Sequence, residues 1–150
     1  MRPHLSITIA ILFNVLACNE PAQNSSAQNF AEKEQTIKAY FSGWVQKDWN
    51  QVAKNLDPGF TFTSPNGDDH LSTTQFKDKC WVQAAHIQRF NFIRFAEAGT
   101  GAYVTYQLFT TDSARFSNTE YFDFAGEKIK SIEVFFGVGE GATGFPTNKK

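Results

Sequence analysis

From residue 87 onward the chain reads as four extended segments in close succession, and no other feature constrains the fold as strongly. Residues 87–96, 102–110, 116–124 and 129–136 are rich in aromatic and β-branched side chains. The breaks between them, EAGTG, TDSA and AGEK, are turn chemistry. Breaks this short join antiparallel neighbours, so the second half of the chain is expected to form an antiparallel meander. One face of such a sheet must be covered, and the covering elements have to come from the first half.

The first half supplies helices. Ile37, Tyr40, Phe41, Trp44 and Val45 recur at helical spacing, which predicts a helix over residues 30–46 with one apolar stripe. Asp48 opens a second, short helix, with Gln51 completing a capping-box pattern, Val52 and Leu56 facing inward, and DPG at 57–59 ending it. Residues 60–64 alternate ring and hydroxyl, a strand with Phe60 and Phe62 on one face. Ser72 as N-cap, Gln75 three residues later, and Leu71 with Phe76 as a hydrophobic staple start a third helix, which faces Phe76 and Cys80 inward with Trp81 beside them. The expected plan is α+β: three N-terminal helices against one face of a curved antiparallel sheet.

A length of 150 residues suits one domain, and a net charge of -1 gives no electrostatic reason to expect nucleic acid. Aromatic residues make up 15% of the chain, enough either to fill a dense core or to line a cavity. At the N-terminus, Arg2 precedes a short apolar run ending VLAC, the pattern of a secretory signal over 1–17. Cys18 directly after Ala17 resembles a bacterial lipobox, which predicts lipidation of Cys18 and a polar tether over 18–29. The expected location is the bacterial cell envelope, with contact to the membrane only through that lipid; a periplasmic or secreted protein is the alternative. Cys80 is then single, so no internal disulfide is expected, and it reads as a small buried hydrophobe unless an electropositive setting activates it. A domain over 30–137 and a loosely ordered tail over 138–150 complete the organisation.

Period-2 reading of NTEYFDF puts Glu120, Phe122 and Phe124 on one face and Asp123 on the other. The next strand puts Ile132 and Val134 inward and Glu133 outward. Glu120 therefore projects into an apolar interior, where desolvation raises the pKa of a carboxyl toward the range useful for acid–base work. It is either a structural acid bonded to Tyr40, Trp44 or backbone, or the anchor of a ligand site. Asp68, Asp69 and His70 lie between a strand and a helix start, and read either as turn chemistry or as the rim of a site. One His beside two acids lacks the spacing of a metal site, and no cofactor-binding motif occurs, so neither metal nor cofactor is expected.

The segments TIKAYFSGWVQKDWNQVAKNLDPGFTFTSP, CW at 80–81 and NTEYFDFAGEKIKSIEVFFG resemble the nuclear transport factor 2-like superfamily, in particular a bacterial subgroup of its SnoaL-like branch. The resemblance covers residues 30–137. It implies a cone: a strongly bent sheet wrapped around the helices, with a pocket at the open end. The superfamily includes ketosteroid isomerase, polyketide cyclases and dehydratases, and also members without catalysis, and homodimers through the sheet are common in it. By that resemblance Tyr40 lies where the isomerase places its oxyanion-binding tyrosine, and Glu120 falls at or near its protonated acid. Ser64 occupies the position of the general base, for which a hydroxyl is poorly suited; Asp69 or His70 would have to replace it. Three functions are thus expected to compete. The first is a binder of a small apolar ligand, lined by Tyr40, Trp44, Phe62, Ser64, Trp81 and Phe122 around Glu120. The second is an isomerase-, dehydratase- or cyclase-type enzyme using Glu120 with Asp69 and His70. The third is an interaction module whose cavity is filled by side chains.

Overall fold

The computed structural model describes residues 23–139. In chain order these form α1 (Gln23–Gln46), α2 (Trp49–Ala53), β1 (Leu56–Ser64), β2 (Asp68–Ser72) and α3 (Thr73–Cys80). A 3-10 turn (Trp81–His86) leads into β3 (Ile87–Ala98), β4 (Gly101–Thr110), β5 (Arg115–Ala125) and β6 (Lys128–Gly139). The expected signal over 1–17, the lipidation at Cys18 and residues 140–150 of the expected tail lie outside the described residues. Among the described residues, no helix is long and apolar enough to cross a membrane.

The strands form one sheet in the order β2-β1-β6-β5-β4-β3. The meander is present as read, with antiparallel pairs from β3 through β6. Its neighbour β1 pairs with β6 in parallel, a contact between distant parts of the chain that local pattern does not reveal. Register breaks between Phe92 and Arg94, Phe116 and Asn118, and Asp123 and Phe124 leave residues unpaired; such bulges bend strands and add to the right-handed twist. The sheet curves, and its concave face wraps α1.

Four of the five stripe residues of α1 enter the core: Ile37, Tyr40, Phe41 and Trp44 are buried. Val45 is exposed, because at about 100° per residue it lies at the edge of the stripe rather than within it. The Phe41 ring meets Phe90 at 4.6 Å, Tyr106 at 5.0 Å and Phe92 at 5.3 Å, all edge-on, so rings from β3 and β4 hold α1 to the sheet. Trp44 performs the same role toward α3 through Phe76 at 5.8 Å.

The local signals at the helix starts are largely realised. Ser72 and Gln75 form a reciprocal capping box, which fixes the entry to α3. Asp48 caps α2 by accepting from the backbone of Asn50 at 2.9 Å and Gln51 at 3.2 Å. The Gln51 side chain instead donates to the Ala39 carbonyl at 3.1 Å, joining α2 to α1, so only half of the expected box forms. Several boundaries move, and α2 ends at Ala53, so that Leu56, expected on that helix, opens β1 instead. Helix α1 begins at Gln23, which takes in residues 23–29 of the expected tether; Ala and Gln extend a helix without needing an apolar face. Strand β1 runs through Pro58 and Gly59 because its pairing with β6 is interrupted between Leu56 and Thr61, where no ladder donor is required. Residues 68–72, read as loop, pair with β1 as β2, and residues 138–139 of the expected tail belong to β6.

Candidate functional site

Alternation along β4 and β5 turns Val104, Tyr106 and Leu108, and Asn118, Glu120 and Phe122, toward the concave face, where all are buried. The register sets Tyr106 opposite Asn118 and Val104 opposite Glu120. Tyr106 therefore reaches diagonally across the strand pair, and its hydroxyl donates to Glu120 Oε1. Asn118 Nδ2 donates in turn to the Tyr106 oxygen at 3.3 Å. The partner of Glu120 thus comes from β4, not from Tyr40 or Trp44 on α1.

This relay borders a cavity of about 450 Å³. Its apolar walls are rings from four elements, Tyr40, Phe41 and Trp44 from α1, Phe62 from β1, Phe76 from α3 and Phe90 from β3, and polar side chains including Asn66, Gln83, His86 and Thr110 also line it. Glu120 is only 7% exposed. Burial pushes its carboxyl up to about 7, against the smaller downward pull of the Tyr106 hydrogen bond. Burial also raises the Tyr40 and Tyr106 hydroxyls, and the nearby Glu120 charge adds to both. The tyrosines therefore stay protonated as donors, while Glu120 can hold or release a proton near neutrality.

A second polar group closes the side of the cavity near α3. Asp68 is buried, accepts from the Ser64 hydroxyl and pairs with Lys79. Burial alone would raise the Asp68 carboxyl, but the bonds from Lys79 and Ser64 outweigh it and hold the group below its ordinary value. Asp68 is thus a fixed anion linking β1, β2 and α3. Cys80, the next residue on the cavity wall, is pushed to about 11 by burial and by the Asp68 charge, so at neutral pH it is a thiol rather than a nucleophilic thiolate.

The expected site residues divide. Glu120, Tyr40, Trp44 and Phe62 border the cavity. Asp69 and His70 do not: their side chains are 84% and 74% exposed and pair with each other at 2.5 Å. The reason is strand parity, since β2 turns Asp68 inward and Asp69 outward, while His70 takes a left-handed backbone with φ of 49°. Ser64 is spent on Asp68 and does not face the cavity. Trp81 stacks behind the wall on Trp44 at 4.8 Å and Trp49 at 5.3 Å. Phe122 lies beneath Tyr40 and Phe41, with ring centroids 5.8 Å from each. Sequence reasoning missed Tyr106 and Asn118; alternation in VTYQL marks Tyr106 as inward, but its partner depends on register. Among the described residues, no group of three or more His, Cys, Asp or Glu side chains is placed to hold a metal ion.

Neither a protein-family model nor a curated protein matches the sequence. Among solved structures, the chain is similar to a nuclear transport factor 2-like protein from Anabaena variabilis, with a TM-score of 0.64 and 19% identity over 75% of this chain and 92% of that one. It is also similar to a SnoaL-like protein of unknown function from Burkholderia thailandensis, with a TM-score of 0.59 and 16% identity over 72% of this chain and 97% of that one. A de novo designed protein with a curved β-sheet matches with a TM-score of 0.62 and 13% identity over 71% of this chain and 85% of that one. At such identities the likeness concerns backbone architecture, and a fold does not by itself imply a function. Among the described residues, six strands in one curved sheet, three α-helices and their order give an α+β architecture with the nuclear transport factor 2-like fold.

Proposed function

We propose that this domain binds a small, largely apolar molecule in its ring-lined cavity, with Glu120 as the polar anchor. One observation carries the reading: about 450 Å³ is left open beside a buried carboxyl, inside a domain otherwise packed with rings. Ordinary cores leave few voids larger than a water molecule, and a pocket of this size with a few convergent polar groups matches small-molecule sites. Native mass spectrometry of protein purified from its own cells is expected to show a retained molecule that unfolding releases. Protein that is always empty, and that takes up no apolar probe, would overturn the reading.

The near-neutral Glu120 favours a second reading, proton transfer on the bound molecule in an isomerase- or dehydratase-type reaction. Asp69 and His70 do not border the cavity, so that chemistry would rest on Glu120 with the Tyr40 hydroxyl as donor, the Tyr106 proton being held by Glu120. Glu120→Gln preserves shape and removes the titrating group; turnover that survives it would remove Glu120 from the mechanism.

The proposed setting is the bacterial cell envelope, with Cys18 carrying the lipid after cleavage of residues 1–17. Membrane association is expected to be lost in Cys18→Ser. The outer face of the sheet carries the clustered rings of Tyr103, Tyr121 and Phe135, and Tyr103 and Phe135 are exposed, which supports packing of a second copy there. Sedimentation of the wild type and of Tyr103→Lys tests that dimer.

A further inference from the structure

The relay on the cavity wall is arranged around an anion. Asn118 Nδ2 donates to the Tyr106 oxygen at 3.3 Å, which leaves the Tyr106 proton for Glu120 Oε1. Both donors thus point toward the carboxyl, and donors aimed at a carboxyl favour its charged form. Only Oε1 is engaged in this way. Oε2 takes no hydrogen bond from the described residues and is not among the buried atoms that packing seals off, so it opens on the cavity that Glu120 borders.

The charge has no partner in the protein. Val104 of β4 and Val134 of β6 lie opposite Glu120 in the sheet, and the polar groups nearest to it are the hydroxyls of Tyr106 and of Tyr40 on α1. Lys79 is the one lysine or arginine among the described residues that border the cavity, and it is paired with Asp68. The two buried acids of the wall therefore differ: Asp68 has a counter-charge and Glu120 has none. A carboxylate away from water is unfavourable until a cation meets it, and a charged N–H makes the stronger kind of hydrogen bond. The rings of Tyr40, Phe41, Phe90 and Tyr106 border the same cavity, and aromatic rings attract cations as well as apolar groups.

We infer that the occupant is an organic amine, whose protonated N–H head pairs with Glu120 Oε2 and whose apolar body is enclosed by the rings. This names the ligand class for the binding reading above and rests on it. A carboxylate head would meet Glu120 as a like charge. A ketone has no proton to give to Oε2, and an alcohol has the proton but not the charge.

Four probes with one ring system separate these cases: tetralin, 2-tetralol, 2-tetralone and 2-aminotetralin. They are titrated calorimetrically into the purified protein at pH 8, above the value of about 7 to which burial moves Glu120. The amine is expected to bind about tenfold more tightly than each of the other three. Glu120→Gln removes the charge at nearly unchanged shape, and is expected to bring the amine to within about twofold of the alcohol. An amine preference that survives this change would place the cation elsewhere and overturn the inference. Should the variant fail to fold by circular dichroism, the wild-type series decides alone. An alcohol or ketone that binds as tightly as the amine would overturn the head-group inference, while tetralin binding would still uphold the binding reading. Failure of all four probes at millimolar concentration would remove both.

Discussion

Glu120 occupies a place where water cannot stabilise its charge, and this has a measurable consequence for folding. Its ordinary value is 4.5, and burial moves it to about 7 in the folded protein. Between those values the folded state keeps a proton that the unfolded chain releases, so stability falls as pH rises through the window and levels off above about 7. A separation of that size corresponds to roughly 3 kcal/mol. Asp68, Asp112 and Asp123 act in the opposite sense, since their folded values lie below 3.8 and their contribution is lost only as pH falls further. Urea unfolding at pH 5 and pH 8 therefore isolates Glu120. The wild type is expected to lose more stability than Glu120→Gln between the two, by about 2.5 kcal/mol; equal losses would mean that the carboxyl is solvated. At this scale the sequence was informative where parity alone decides, as for Glu120. It failed where parity depends on an unrecognised strand: with 68–72 read as a loop, nothing distinguished the buried Asp68 from the exposed Asp69 and His70.

The elements meet at a few close contacts that sequence marks only faintly. At the start of β4, a Cβ built on Gly101 would lie 2.1 Å from the Phe122 carbonyl oxygen and 2.8 Å from the Tyr121 ring. The first is backbone in the neighbouring strand and cannot swing aside, so Gly101→Ala is expected to destabilise the domain by about 3 kcal/mol, read as a lower urea midpoint with an unchanged slope. The cap of α3 is a milder case. Ser72→Ala removes the side chain that bonds the Gln75 backbone and should cost about 1 kcal/mol, while Ser72→Asp should retain most of it. The cap was legible because its signals lie within a few residues of one another, as do the stripe of α1 and the turns of the meander. The parallel pairing of β1 with β6 joins distant parts of the chain, and the contact of Tyr106 with Glu120 depends on the register of the β4–β5 hairpin, which the turn residues alone do not fix. The helices and the strands of the meander were therefore readable, whereas β2 and the relay beside the cavity were not.

For the whole molecule, the issue is whether the hollow inside the bent sheet is a binding site or slack in the packing, and stability measurements distinguish the two. Leu108 lies on β4 at the cavity wall. In a filled core, replacing it with Trp would force neighbours off their rotamers and cost about 1–3 kcal/mol. Here the added ring has open space of about 450 Å³ to enter, so Leu108→Trp is expected to unfold within a few degrees of the wild type. The same ring takes the volume that a ligand needs. At a hundred times its dissociation constant, a small apolar probe such as tetralin should stabilise the wild type by about 2.7 kcal/mol, a rise in melting temperature of roughly 10 °C, because it binds the folded state alone. In Leu108→Trp that rise should vanish although the fold remains. A variant that is badly destabilised would show that the interior was already packed, and the interaction-module reading would then account for the domain better than ligand binding does. A variant that is stable but still responds fully to tetralin would place the binding site elsewhere on the surface.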